Sequence, residues 1–226
     1  MNGPTPVLLA WSGGKDSSLA LAALNADPAC RVCALVTAVT NGFDRISIHG
    51  VRRDLLERQA SSIGLPLIVA PLDAGAPNAA YEEAWAGALA RGTALCGGAK
   101  HVAYGDLFLE DVRAYRESQL RGLGYIPLYP IWGADTAALA RRFVRDGFKA
   151  ALTCVDTTQL DAKFAGREYD DAFLDELPAG VDPCGERGEF HTFVWDGPHM
   201  KHSVPIVAGE RVLRDERFQY CDFLPA

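Results

Sequence analysis

The chain has 226 residues, 49% of them hydrophobic, and carries 29 acidic against 22 basic side chains for a net charge of −7. That length and composition fit one large α/β core with a modest appendage and argue against disorder, while the negative charge leaves nucleic acid an unlikely partner, for want of a basic footprint. No apolar run approaches the roughly 20 residues that span a bilayer and the amino terminus lacks signal-peptide character, so the reading is cytoplasmic, without a membrane partner and with reduced cysteines.

A strand is predicted over residues 7–11, ending at glycines and followed by an Ala/Leu helix over 17–24. The β-then-α step recurs with a strand over 33–39 and a helix over 52–63, then a strand over 67–71 and a helix over 79–96. Two further steps pair a strand over 101–104 with a helix over 110–123, and a strand over 126–130 with a helix over 136–146 that Gly147 would end. The Gly, Ala and Pro of residues 71–77 make that stretch the nearest thing to a flexible linker. Alternation of this kind predicts a doubly wound, mostly parallel sheet with helices on both faces and ligands at the carboxyl ends of the strands. After about residues 149–155 the rhythm breaks into a polar stretch with an acidic helix, a Pro/Gly/Cys-rich loop and short alternating strands around 203–223. The expected organisation is a main domain over 1–155 and a smaller α+β subdomain over 156–226.

Between the first strand and the first helix stand Ser12, Gly13, Gly14, Lys15, Asp16 and Ser17. Backbone N–H groups and the positive helix end can converge there on an anion; the glycines let a phosphate chain come close, and Lys15 offers an ammonium to its oxygens. Asp16 is an unusual neighbour for an anion and makes most sense beside Mg²⁺. The pattern is neither the Walker loop nor the dinucleotide loop. It resembles the PP-loop motif SGGxDS of ATP pyrophosphatases, whose adenine nucleotide alpha hydrolase fold is a doubly wound sheet; the resemblance implies cleavage of ATP between its α- and β-phosphates.

A second cluster runs Asp182, Pro183, Cys184, Gly185, Glu186, Arg187, Gly188, Glu189, Phe190, His191 and Thr192. By residue type alone it is either a loop that binds a metal, an amine or an α-amino acid, or an ordinary structural turn. Paired with the phosphate loop, it resembles the DPCGExGEFHT signature of the diphthine-ammonia ligase family, with Arg187 where Asn is common. The likeness extends through Ile48, His49, Gly50 and Val51; Leu55 to Ala60; Gly105 and Asp106 with Glu110, Asp111 and Arg113; Pro127, Leu128 and Trp132; Asp156; and Gly166 with Arg167.

The resemblance implies an amide-forming ligase using ATP and Mg²⁺, with a carboxylate substrate and ammonia as partners and possibly a homodimer as the assembly. Trp11, Ser12, Gly13, Gly14, Lys15, Asp16, Ser17, Val39 and Gly105 are the expected ATP residues, adenine being held by backbone groups near Ala10, Trp11 and Val39. Lys15, Asp106, Glu189 and His191 are the expected catalytic residues, Asp16 and Asp106 the metal ligands, and Glu186, Glu189, His191 and Thr192 the acceptor and ammonia site. His49 is a weaker candidate, Arg113 and Glu117 read as a helical ion pair, and Trp85, Trp132 and Phe143 read as core. The competing functions are a tRNA-modifying enzyme, for which Cys30 and Cys33 would lie at the wrong end of a strand, and an ATP-binding sensor without turnover.

Overall fold

The computed structural model describes residues 3–42, 45–46 and 50–226. Ten elements alternate along the first part of the chain: β1 (Thr5–Ala10), α1 (Lys15–Ala26), β2 (Cys30–Thr40), α2 (Arg53–Ile63), β3 (Leu67–Leu72), α3 (Asn78–Leu95), β4 (His101–Ala103), α4 (Glu110–Gly122), β5 (Ile126–Leu128) and α5 (Thr136–Arg145). The strands pair in parallel in the order β3-β2-β1-β4-β5. The doubly wound sheet predicted from the alternation is therefore present.

The middle strand shows why the sequence takes this form. Val7, Leu8 and Leu9 are all fully buried, as a parallel strand covered on both faces requires. Alternation sends Leu8 into the core under α3 and α4, and Val7 with Leu9 into the core shared with α1, α2 and α5. Leu55, Leu56, Gln59 and Ala60 form the inward face of α2, which stops at Gly64 in the left-handed conformation (φ 83°). The Asp135 side chain caps α5 by accepting from the Ala138 amide at 2.7 Å, and Gly147 beyond it has φ 86°.

The second part contains β6 (Lys149–Asp156), a 3-10 turn (Ala162–Phe164), α6 (Asp171–Glu176), β7 (Phe190–Asp196), β8 (Ile206–Arg214) and β9 (Phe218–Pro225). These strands form an antiparallel sheet in the order β7-β6-β9-β8. Every residue of β6 after Lys149 is buried, because the strand is central to its own sheet. It precedes the boundary after residue 155 that the sequence suggests and pairs wholly within the second sheet. Strand β7 also lies where the sequence reads as the tail of a loop, and β8 and β9 make a longer hairpin than the predicted short strands. One apolar core runs from Val7, Leu9 and Trp11 through Leu152 and Val155 to Phe193 and Cys221, so the two sheets share an interior. Among the described residues no helix is long and apolar enough to cross a membrane.

Candidate active site

A cleft of about 1090 Å³ opens at the carboxyl ends of β1, β2 and β4, bounded on its far side by the second sheet. A cavity this size sits at the top of the usual range for small-molecule sites, with space for a nucleotide and a second reactant. Strand order reverses direction at β1 and β4, the topological position at which open α/β sheets place ligands.

The phosphate loop occupies the centre. Ser12, Gly14, Lys15, Asp16 and Ser17 face the cleft. Gly13 does not: at φ 76° it turns away, and a Cβ there would meet Leu56 Cδ2 at 2.7 Å. Its carbonyl accepts from the Gln59 side-chain amide at 3.0 Å and from the Val194 amide at 2.9 Å. Gln59 also donates to the Val194 carbonyl at 2.6 Å and accepts from the Trp11 indole at 2.7 Å. This fully buried carboxamide thus fastens the end of β1, the loop and β7 together. Gly14 lies so close to β7 that a Cβ would stand 2.9 Å from the Thr192 carbonyl oxygen.

Thr192 is brought to the loop, but its hydroxyl accepts from the Lys15 backbone amide at 3.1 Å and so serves the first turn of α1, whose N-cap Gly14 has no side chain to do this. The Lys15 ammonium donates to both Asp16 carboxylate oxygens at 2.8 Å and to the Cys184 carbonyl. Burial opposes the charge on Lys15, but the adjoining Asp16 carboxylate outweighs it and holds the ammonium above its ordinary value. Ser12 and Ser17 hydroxyls are 3.3 Å apart, and Ser17 donates to the Gly14 carbonyl at 2.9 Å.

The second cluster folds as a tight loop entering β7. Glu189 is buried, and its two carboxylate oxygens accept from the Asp182 and Arg187 amides, each at 2.9 Å. It does not line the cleft; it is the strut that shapes the loop, which differs from the catalytic place the sequence suggests. Glu186 does line the cleft, and its Oε1 accepts from the Leu107 amide at 2.7 Å, bridging the loop to the end of β4. Burial, reinforced by the nearby Asp16 and Asp106 charges, pushes the Glu186 carboxyl up to about 7 against the stabilising Leu107 amide. His191 faces the cleft and pairs in the β6–β7 ladder with Cys154. Arg187 is exposed, stacked 5.5 Å from the Phe108 ring centre, and does not line the cleft.

Asp106 enters from the end of β4. Gly105 before it packs on the loop, where a Cβ would meet the Asp16 carbonyl carbon at 2.7 Å. Burial raises the Asp106 carboxyl, opposed by the Arg116 guanidinium 2.8 Å away, and the Asp16 charge raises it further. Asp16 and Asp106 therefore feel one another across the cleft and both line it. Among the described residues no group of three or more His, Cys, Asp or Glu side chains is placed to hold a metal ion. Two carboxylates still fit Mg²⁺, which completes its shell with phosphate oxygens and water.

Val39 is buried and does not line the cleft; by strand alternation its neighbours Ala38 and Thr40 do, together with Ala10 and Trp11. Trp85 is 6% exposed, as a core residue should be, yet its edge reaches the cleft wall. Phe143 is wholly buried, Trp132 is half-buried, and Arg113 pairs with Glu117 at 2.7 Å as an i,i+4 ion pair. Cys30 and Cys33 do not line the cleft, and His49 lies outside the described residues.

Three features went unforeseen. Gln59 was visible only as the one polar side chain on the apolar face of α2, and Arg116 was indistinguishable on a helix that is polar all round. Asp222 bonds Arg45 and Arg52, each at 2.6 Å, and the two arginines overcome burial to hold its carboxyl down to about 2.

Two family descriptions match the chain: the diphthamide synthase N-terminal domain over residues 5–125 and the diphthamide synthase C-terminal domain over residues 135–223. Among curated proteins, the diphthine–ammonia ligase of Danio rerio is 33% identical over 129 residues, covering 54% of this chain and 51% of that protein. The diphthine–ammonia ligase of Homo sapiens is 28% identical over 117 residues, covering 50% of this chain and 44% of that protein. The chain spans about half the length of the curated relatives it matches. With both domain descriptions matched in order and the phosphate loop and second cluster meeting in one cleft, the chain belongs to the diphthamide synthase family.

Proposed function

We propose that the protein is an ATP-dependent amide ligase: a substrate carboxylate attacks the α-phosphate of ATP, pyrophosphate leaves, and ammonia displaces AMP from the acyl-adenylate. The observation that carries this reading is the convergence of Lys15 and Asp16 from the loop, Asp106 from β4, and Glu186 with His191 from the second cluster on one cleft. The names of the curated relatives support the same reaction class.

Lys15 and the amides at the start of α1 are set to meet the charge that develops on departing pyrophosphate. The Lys15 ammonium is now spent on Asp16 and the Cys184 carbonyl, so nucleotide phosphates would exchange these contacts for their own. When bound, Mg²⁺ supplies positive charge at the phosphate oxygens, and Asp16 with Asp106 would hold it. Glu186 is the better candidate for taking a proton from incoming ammonium than Glu189: it faces the cleft, and its carboxyl is poised at about 7, whereas both Glu189 oxygens are committed to loop amides. His191 stands beside it on the cleft wall.

The experiment is incubation with Mg-ATP, ammonium and candidate carboxylates, followed by separation of nucleotides. AMP and pyrophosphate support the ligase; ADP and phosphate exclude it. Lys15→Ala should abolish AMP release while the far-ultraviolet circular dichroism stays that of the wild type.

A further inference from the structure

The cleft wall built by α3 and α4 has no part in the steps above. Arg116 projects into it from α4, with Nε 2.8 Å from Asp106 Oδ2 and the guanidinium carbon 4.2 Å from the centre of the Tyr104 ring. The contact with Asp106 is off the line of a hydrogen bond, and neither Nη group donates a hydrogen bond to a described residue. Arg116 faces the same cleft as Lys15 and Asp16, as do Tyr81, Leu109 and Val112 around it. Its side chain is only 28% exposed.

Neutralising Asp106 would ask no more than a cation. A guanidinium fixed in plane by a ring on one face and a carboxylate at Nε offers something more specific, its Nη edge as a preorganised fork. That fork matches a carboxylate bidentately, and such pairs are among the strongest charge-assisted hydrogen bonds. Beside the fork the walls change character: Leu109 and Val112 are aliphatic, and Tyr81 adds an aromatic ring stacked on Trp85 at 6.1 Å. A carboxylate bound here lies close to the loop, because Gly105 packs directly on the Asp16 backbone.

We infer that Arg116 binds the carboxylate of the acceptor, and that the acceptor is a free small carboxylic acid whose apolar or aromatic body rests on Tyr81, Leu109 and Val112. This rests on the amide-ligase reading and adds to it the chemical class of the substrate. Asp106 then has a second task, holding the fork still, and Arg116 is a substrate-binding residue on the side of the cleft opposite the adenine end.

The test uses the full chain and two probes, benzoate and acetate, titrated by NMR in parallel with Mg-ATP titrations. The wild type should bind benzoate with a Kd on the order of 1 mM and acetate at least about tenfold more weakly. Arg116→Gln should weaken benzoate by about 10- to 100-fold, Arg116→Lys by less, and Val112→Trp, which fills the subsite without touching the cation, should abolish binding. Mg-ATP affinity should stay within about twofold throughout. No benzoate binding by the wild type below about 10 mM, equal binding of acetate, or undiminished binding by either Arg116→Gln or Val112→Trp overturns the assignment. If Arg116→Gln fails to fold, Val112→Trp decides alone. Loss of Mg-ATP binding by the wild type itself would instead remove the ligase reading, a separate outcome.

Discussion

Replacing Gln59 by Leu keeps the approximate volume of the side chain and deletes its three hydrogen bonds. The Gly13 carbonyl retains the Val194 amide, so the groups left stranded are the Trp11 indole N–H, in a residue 2% exposed, and the second-sheet Val194 carbonyl. Each unsatisfied buried group costs about 1–3 kcal/mol, and the added apolar burial of leucine offsets about 1 kcal/mol, leaving a net loss of about 2–4 kcal/mol. That is a large share of a stability of about 5–15 kcal/mol and would show as a lower midpoint in urea. Gln59→Glu is the sharper probe. It keeps the bond from Trp11, but an ionised carboxylate would confront the Gly13 and Val194 carbonyl oxygens, now 3.0 and 2.6 Å from the amide nitrogen. The folded state would hold its proton above the ordinary glutamate pKa of about 4.3, so the variant should lose stability as pH rises through and beyond that value, while Gln59→Leu should not. A loss below about 1 kcal/mol in Gln59→Leu, or no difference in pH dependence between the variants, would refute the role given to this residue.

Gly14→Ala is sterically rather than conformationally forbidden, since its φ of −90° suits alanine while the new Cβ would press on the Thr192 carbonyl; equilibrium dialysis should show Mg-ATP affinity reduced about tenfold or more. Glu186 has a folded pKa of about 7, above its model value of 4.5, so the folded state holds a proton that the unfolded chain releases. Its share of stability is present below about pH 4.5 and is lost as pH rises to about 7; urea midpoints for Glu186→Gln should lack that part of the slope. Asp156 behaves oppositely. Arg217, Thr158 and Gln159 donate to it and hold its carboxyl below the ordinary value of 3.8, so its contribution is full above that pH and falls as acid is added. Asp156→Asn should cost about 2 kcal/mol near neutrality in chemical denaturation and remove this acid-sensitive component.

The parallel sheet was legible because β1 to β5 each combine a short apolar run with a helix of the right length, and parallel pairing leaves few other arrangements. Strand β6 was open to misplacement for the same reason: as the buried centre of an antiparallel sheet, its Ala150 to Val155 run looks like one more parallel strand. The loop from Ser12 to Ser17 announced an anion site by residue type, yet nothing local could show that Gly13 and the Thr192 hydroxyl face the second sheet. Those contacts join residues some 180 positions apart, Lys15 with Thr192 at a separation of 177 among them. Glu186 and Glu189 illustrate the limit further: two carboxylates three positions apart read alike, and only the fold separates the one facing the cleft from the one consumed by backbone amides.

The stitching of the phosphate loop onto β7 makes nucleotide affinity and cohesion of the two sheets a single quantity. The Gly13 carbonyl, the Lys15 amide and the Gln59 carboxamide all end on β7, so whatever stiffens the loop also tightens the seam, and by linkage whatever tightens the seam must raise affinity for the nucleotide by the same factor. A change far out on the second sheet, remote from every phosphate contact, can then tune nucleotide binding as surely as one in the loop.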